Sequence, residues 1–155
     1  MSTKVMDRLP PNSETAERGV LGCLLGDAAE GLGVAQARLR AGPLAFYDLR
    51  HQTIYTALEE MSAKGVGVDI ITVRQWLKDG GKLDAAGGLA YLDALRDIVP
   101  STSNLPYYLD IVADKAALRA VVATCGKAVA RIYAEEEAGD VGTLMDELER
   151  ELMKA

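Results

Sequence analysis

The chain has 155 residues, of which 49% are hydrophobic and 5% aromatic, so we expect one well-buried core built mainly from the aliphatic side chains of packed helices. Its net charge is −6; residues 1–103 carry 11 basic and 13 acidic groups, and residues 104–155 carry 6 and 10. Neither half offers a basic face, which excludes strong autonomous binding to nucleic acid. The sequence has no apolar run of about 18 residues and no signal peptide, which argues against a membrane partner and predicts an intracellular, cytoplasmic protein.

The chain begins with a polar lead that ends in two prolines, and we predict that residues 1–11 are flexible. Asn12 or Ser13 is well placed to cap the first helix. Gly19 and Gly22 lie within that helix, where the missing side chain allows another backbone to approach closely.

Helical periodicity then recurs between short glycine-rich stops. A short second helix between residues 28 and 42 is indicated by Leu32, Val34, Ala37 and Leu39. A clearer helix runs from about Asp48 to Lys64, and Phe46 and Tyr47 precede it as core residues. Asp69 can cap a further helix, and a short helix follows around residues 89–95.

From Asn104 to about Glu137 the pattern predicts one helix, which would be about 50 Å long at 1.5 Å per residue. Its second half carries a row of mostly apolar residues at spacings of four, three, four and three: Leu118, Val122, Cys125, Val129 and Ile132. This length exceeds what the core of one small domain needs, so we expect the far end to project.

A second helix is predicted after Gly139, with Asp140 as its cap and with Val141, Leu144 or Met145, and Leu148 at helical spacing. The fold is therefore expected to be all-α: a compact globule of about six helices over residues 12–103, then a projecting antiparallel hairpin over 104–155. Two narrow stripes cover each other only partly, which favours self-association through the hairpin. The alternative is an ordinary antiparallel pair packed back on its own domain.

Catalytic and cofactor-binding motifs are not found. Neither Gly-Lys pair, at Gly81 and at Gly126, stands in the context of a phosphate loop. One histidine and two distant cysteines give no metal site. Cys23 and Cys125 are each predicted to be small buried thiols.

His51 lies near the start of a predicted helix, where a structural hydrogen bond is the expected role. The enzyme hypothesis would require a pocket in which His51, Asp48 and Tyr55 carry out acid–base chemistry. Adjacent acidic residues point in different directions on a helix, so the glutamate runs are interpreted as solvated faces. We therefore predict that this chain alone is not an enzyme.

Four motifs follow one another along the chain: LPPNSETAERGVLGCLL, FYDLRHQTIYTALEEM, VDIITVRQWLKDGGKLDAAGGLAYLDAL and PSTSNLPYYLDIVADKAALR. In this order and spacing they resemble the N-terminal domain of DnaB-type replicative DNA helicases. The resemblance covers about Leu9 to Arg119, and the hairpin beyond it matches in pattern more than in residues.

The resemblance implies a collar domain of a hexameric helicase, in which hairpins pair into dimers, three dimers form a ring, and the C-terminal helicase-binding domain of primase docks. It implies that self-association uses Leu118, Val122, Cys125, Val129, Ile132, Val141, Leu144 and Leu148. It also suggests Tyr91, Val122 and Ala128 as weaker candidates for primase contact. ATP and Mg²⁺ are expected only for the ATPase motor of such a helicase, whose phosphate loop is not found in this sequence.

Two other interpretations of the same motifs are open. The chain could be a freestanding collar-like adaptor or inhibitor that binds helicase or primase, which the natural length of the protein would decide. The helicase-binding region of primase has a similar fold, but the opening motif PPxSxxAE argues against that assignment.

Overall fold

The computed structural model describes residues 8–134 and 139–155, and these ranges contain helices and no strand, which confirms the all-α prediction. The α-helices are α1 Glu14–Gly26, α2 Ala28–Arg38, α3 Leu49–Ala63, α4 Ile70–Asp79, α5 Leu89–Asp97, α6 Leu105–Tyr133 and α7 Val141–Lys154. Short 3₁₀ helices span Gly42–Ala45 and Thr102–Asn104. None of the described helices is both long enough and apolar enough to cross a membrane.

Local capping explains where several helices begin. Ser13 caps α1 by accepting a hydrogen bond from the Ala16 N–H at 3.3 Å. Asp69 and Thr72 form a reciprocal capping box at the start of α4. Asp140 caps α7 by accepting from the Thr143 N–H. Three predicted helix starts are thereby confirmed, because a cap requires only neighbouring residues.

Helix α1 lies at the centre of the globular core, where Val20, Leu21 and Leu24 are each 0% exposed. A Cβ atom on Gly22 would lie 2.6 Å from the Leu95 carbonyl oxygen of α5. Only glycine permits this backbone contact, so the predicted close approach at Gly22 is confirmed. On Gly19 a Cβ atom would meet the Tyr108 ring at 2.9 Å instead of another backbone.

One core assignment from the sequence was wrong, and the second helix buries a different row from the residues that indicated it. In α2 the buried residues include Leu32 and Ala35, whereas Val34 is 47% exposed and Ala37 is exposed, because the buried row follows helical spacing through Ala35. Phe46 is buried as predicted, but Tyr47 is 37% exposed. The ring of Tyr47 is partly exposed to solvent, and it is the backbone of this residue that contacts the interior.

The chain forms two compact units, Asn12–Ala116 and Ala117–Ala155, the second including the N-terminal lead. The division lies after Ala116 and not after residue 103, because Leu105, Leu109 and Val112 of α6 are buried in the core of the first unit. Arg119 donates a hydrogen bond to the Pro11 carbonyl at 2.8 Å. Residues 1–7 of the lead and the acidic run Glu135–Glu137, where the long helix was predicted to end, lie outside the described residues.

Candidate functional site

The predicted self-association residues of α6 lie side by side on an exposed surface. Leu118, Val122, Val129 and Ile132 are 49%, 58%, 44% and 54% exposed, and Cys125 between them is also exposed. We call these five residues the α6 stripe. Four large apolar side chains therefore remain in contact with water in the isolated chain, over about 21 Å of helix.

The predicted residues of α7 are placed differently. Leu144 is 8% exposed and Leu148 is half-buried, whereas Val141 is 74% exposed. Leu144 and Leu148 line a groove of about 320 Å³ on α6 and α7, together with Ala128. Ala128 is 7% exposed, so this candidate for primase contact lies within the hairpin. The hairpin thus has an inner seam and, on α6, a separate outer stripe.

Charge is distributed unevenly between the two hairpin helices. Residues 117–133 carry Arg119, Lys127 and Arg131 and no acidic residue. Helix α7 carries four acidic residues and two basic residues. An Arg131–Glu147 ion pair joins the two helices within the hairpin. The sequence pattern had identified the apolar stripe but not this opposition of charge.

The cysteines differ in exposure. Cys23 is buried, as predicted, and burial raises the pKa of its thiol. The expectation of a buried thiol was wrong for Cys125, which is exposed because it lies on the α6 stripe. Both thiols are free.

A buried polar cluster joins α1, α3 and α5 in the first unit. The His51 Nδ1 atom lies 2.6 Å from Glu17 Oε2, and its Nε2 atom lies 2.6 Å from the Tyr91 hydroxyl. Glu17 is 2% exposed and His51 is 0% exposed, while Tyr91 is half-buried. We call these three side chains the Glu17 cluster.

The Glu17 carboxylate has donors on several sides. The backbone N–H groups of Tyr47 and Asp48 donate to it at 2.6 Å and 3.3 Å, in addition to His51 Nδ1. A buried carboxylate is tolerated when hydrogen bonds satisfy its oxygens in this way. Glu17 therefore fixes the turn before α3 as well as the imidazole.

The Tyr91 ring is confined by its neighbours. Its plane lies within 12° of the His51 ring plane at 6.1 Å between centroids, and the Arg50 guanidinium carbon lies 4.2 Å from its centroid. Gly87 has a φ of +98°, and a Cβ atom there would lie 2.6 Å from Tyr91 Cδ1. Burial raises the pKa of the Tyr91 hydroxyl. The ring is thus held from several directions.

Arg50 is itself fixed by Asp48. Its Nη2 atom donates to Asp48 Oδ2 at 2.6 Å and its Nε to Asp48 Oδ1 at 3.1 Å. This hydrogen bond lowers the pKa of the Asp48 carboxyl group. The fixed guanidinium is 40% exposed and forms the outer neighbour of Tyr91.

The Glu17 cluster contains residues from three of the sequence motifs. Glu17 closes PPxSxxAE, His51 closes FYxxxH, and Tyr91 lies in GGLAYL. Sequence reasoning treated the motifs separately and missed that they meet. The structural hydrogen bond predicted for His51 is confirmed twice over. Because His51 and Tyr55 are each 0% exposed, no substrate can reach them for acid–base chemistry.

An open groove of about 970 Å³ lies elsewhere in the first unit. Trp76, Leu77 and Ala57 contribute to its apolar lining, and the exposed Leu44 and Leu49 stand at its edge. No pattern in the sequence indicated this groove. It includes no member of the α6 stripe or of the Glu17 cluster.

Comparison with known proteins identifies a family over most of the chain. Residues 9–114 match the family described as DnaB-like helicase N terminal domain. The replicative DNA helicase DnaB of Geobacillus stearothermophilus is 34% identical over 154 residues, covering 99% of this chain and 33% of that protein. For DnaB of Rhodothermus marinus the values are 35% identity, 95% of this chain and 15% of that protein. The chain thus spans a third or less of the length of these relatives.

Solved structures give the same result for the fold. The N-terminal domain of DnaB helicase from Mycobacterium tuberculosis superposes with a TM-score of 0.84 at 35% identity, covering 95% of this chain and 100% of that one. A DnaB-like replicative helicase, described with its interactions with primase, superposes with a TM-score of 0.70 at 23% identity, covering 92% of this chain and 31% of that one.

Proposed function

The chain belongs to the family of DnaB-like helicase N-terminal domains, and from this premise we propose that it is the collar domain of a hexameric replicative DNA helicase. In this role it associates with other copies and recruits primase during DNA replication. The ATPase motor, with its ATP and Mg²⁺, belongs to the remainder of such a helicase. The proposed location is the cytoplasm of a bacterial or phage-infected cell.

The exposed α6 stripe is the observation that carries the self-association proposal. Large apolar side chains at 44–58% exposure are unfavourable in water, and covering them is favourable by roughly 25 cal/mol per Å² of apolar area. A helical row at alternating spacings of four and three residues fits a helix of another chain. The proposed occupant of the stripe is a second copy of this chain.

Charge complementarity supports a second copy as the occupant. The stripe lies on a helix segment with three basic residues and no acidic one, and α7 carries an excess of acidic residues. When two hairpins pair antiparallel, the basic α6 of one copy can lie beside the acidic α7 of the other. Arrangements that place the two basic α6 segments, or the two acidic α7 helices, beside each other would be disfavoured. Pairing of three such dimers would give the proposed ring.

Primase recruitment is proposed to involve the surface around Tyr91, since Val122, the other exposed candidate, belongs to the stripe that is assigned to a second copy. Tyr91 retains some solvent exposure in the isolated chain, whereas Ala128 is reached only through the hairpin seam. A helicase of the same fold is described together with its interactions with primase, which supports this partner. The partner is proposed to be the C-terminal helicase-binding domain of primase.

Light scattering coupled to gel filtration tests the self-association proposal. Val122→Asp and Val129→Asp place a charge on the stripe, and we expect each to lower the mass toward the 16.6 kDa of one chain. The matched control is Ile71→Asp, because Ile71 is 71% exposed and lies on α4, which is not part of the hairpin. Helicity by circular dichroism should be unchanged in all three variants.

Two results would contradict this proposal. One is an unchanged mass in both stripe variants. The other is an equal loss of mass in Ile71→Asp, which would mean that any added charge prevents association.

Leu49→Asp, at the edge of the open groove, shows in a primase binding assay whether primase uses that groove instead of the Tyr91 surface.

A further inference from the structure

Tyr91 combines a partly exposed side chain with a hydroxyl that is used inside the protein. Its neighbours on α5, Leu92 and Leu95, are each 0% exposed and supply the packing of that helix against the core. Tyr91 itself is half-buried, and its hydroxyl lies 2.6 Å from His51 Nε2. The hydroxyl therefore has a partner within the chain, and the ring and its Arg50 neighbour are what another protein can touch.

The direction of the hydrogen bonds follows from the Glu17 carboxylate. Backbone N–H groups can only donate, so the Tyr47 and Asp48 amides fix the carboxylate as an acceptor. His51 Nδ1 accordingly donates to Glu17, which makes Nε2 the acceptor in the neutral ring. Tyr91 then donates its O–H to Nε2. Each group in this series fixes the orientation of the next.

We propose that Glu17 and His51 are positioning residues that hold the Tyr91 ring, with the Arg50 guanidinium against it, as a preformed surface for primase. The proposal rests on the proposed function, and it adds two residues that no partner can touch. A side chain that is already immobile loses less entropy on binding, which is worth roughly two- to tenfold in affinity. Primase contacts the Tyr91 ring and the Arg50 guanidinium, and not the Tyr91 hydroxyl.

Core packing alone would not require this arrangement. A buried carboxylate and imidazole are no more stabilising than apolar residues of similar volume, so core packing alone does not call for them. Gly87, whose positive φ and missing side chain make room for the ring, points the same way. The buried polar groups and the glycine both favour a single orientation of the Tyr91 side chain.

Two isosteric variants separate positioning from simple stability. The amide of asparagine falls near the place of Nδ1, so His51→Asn keeps the donor to Glu17 and loses the acceptor for Tyr91. The amide of glutamine falls near the place of Nε2, so His51→Gln keeps an acceptor for Tyr91. We expect His51→Asn to weaken binding of primase from the same organism about fivefold, and His51→Gln to weaken it less.

A double-mutant cycle with Tyr91→Ala identifies the route of the effect. If His51 acts through Tyr91, His51→Asn has no further effect on primase affinity once Tyr91 is alanine. Additive losses, or equal losses in His51→Asn and His51→Gln, would overturn the positioning role. Affinities are compared at a temperature at which circular dichroism shows every variant to be folded.

A second measurement does not depend on primase. NMR relaxation of isotope-labelled tyrosine, with the Tyr91 signals assigned by comparison with Tyr91→Phe, reports the mobility of the ring. We expect a more mobile ring in His51→Asn, and an unchanged ring in that variant would refute positioning. The ring could be ordered while Tyr91→Ala binds primase like the wild type. That result would contradict the primase contact at Tyr91 in the proposed function, and with it the proposal that this surface is preformed for primase.

Discussion

The first unit and the hairpin differ in how completely their groups are satisfied within one chain. In the first unit, two backbone amides and an imidazole meet the buried Glu17 carboxylate, and the side chains around α1 reach 0% exposure. In the hairpin, only one seam is closed, and the α6 stripe keeps four large apolar side chains at 44–58% exposure. The difference supports the proposal that another chain completes the hairpin, whereas the polar groups of the Glu17 cluster find their partners within the first unit.

Removal of the Glu17 carboxylate should give the largest effect on the first unit. Glu17→Ala leaves His51 and two amides without their acceptor in the interior, and we expect a loss of roughly 3–5 kcal/mol in the free energy of unfolding. Urea unfolding followed by circular dichroism measures it. The matched control is Glu14→Ala, one turn earlier on α1 and exposed, for which we expect a change within about 0.5 kcal/mol.

The comparison would fail if Glu17→Ala left stability unchanged, since the cluster would then be dispensable. It would also fail if this variant, while folded, lost its self-association as completely as Val122→Asp. The stability of the first unit and the self-association of the hairpin would then depend on each other.

A glycine-to-alanine pair sharpens the contrast with a smaller change. Gly22→Ala drives a methyl group into the Leu95 carbonyl at 2.6 Å, and we expect a loss of about 1–3 kcal/mol in stability. Gly126→Ala, in the middle of α6, meets nothing within 4 Å, and we expect a gain of up to about 1 kcal/mol from helix propensity. Thermal unfolding of dilute protein measures both.

The same substitution should thus have opposite signs in the two units. A loss of stability in dilute Gly126→Ala would contradict the open surroundings of that residue. A gain in stability in Gly22→Ala would contradict the close packing of α1 on α5.

Sequence reasoning succeeded where the determinants are local. Ser13, Asp69 and Asp140 cap helices through bonds to residues two or three positions away, so their roles can be read from neighbouring letters. The α6 stripe follows in the same way from helical periodicity. Its use in self-association stays a prediction.

The Glu17 cluster could not be predicted from spacing. His51 meets Glu17 across 34 positions and Tyr91 across 40, and no period relates them. The motifs contain the three residues but do not indicate that their side chains contact one another, because only the packing of α1, α3 and α5 brings them together. For Cys125 the error had another source: its place in an apolar row was clear, but exposure depends on what covers the row.

Thiol reactivity gives the smallest perturbation that compares the two units. Cys23 is 1% exposed in the first unit and Cys125 is exposed on the α6 stripe, so Ellman's reagent should modify Cys125 in dilute native protein and Cys23 at least about tenfold more slowly. Cys125→Ser should abolish the fast reaction. If a second copy covers the stripe, raising the protein concentration slows the Cys125 reaction in the wild type but not in Val122→Asp. A rate that is independent of concentration in both would mean that the stripe stays open, which would contradict the proposal that a second copy covers it.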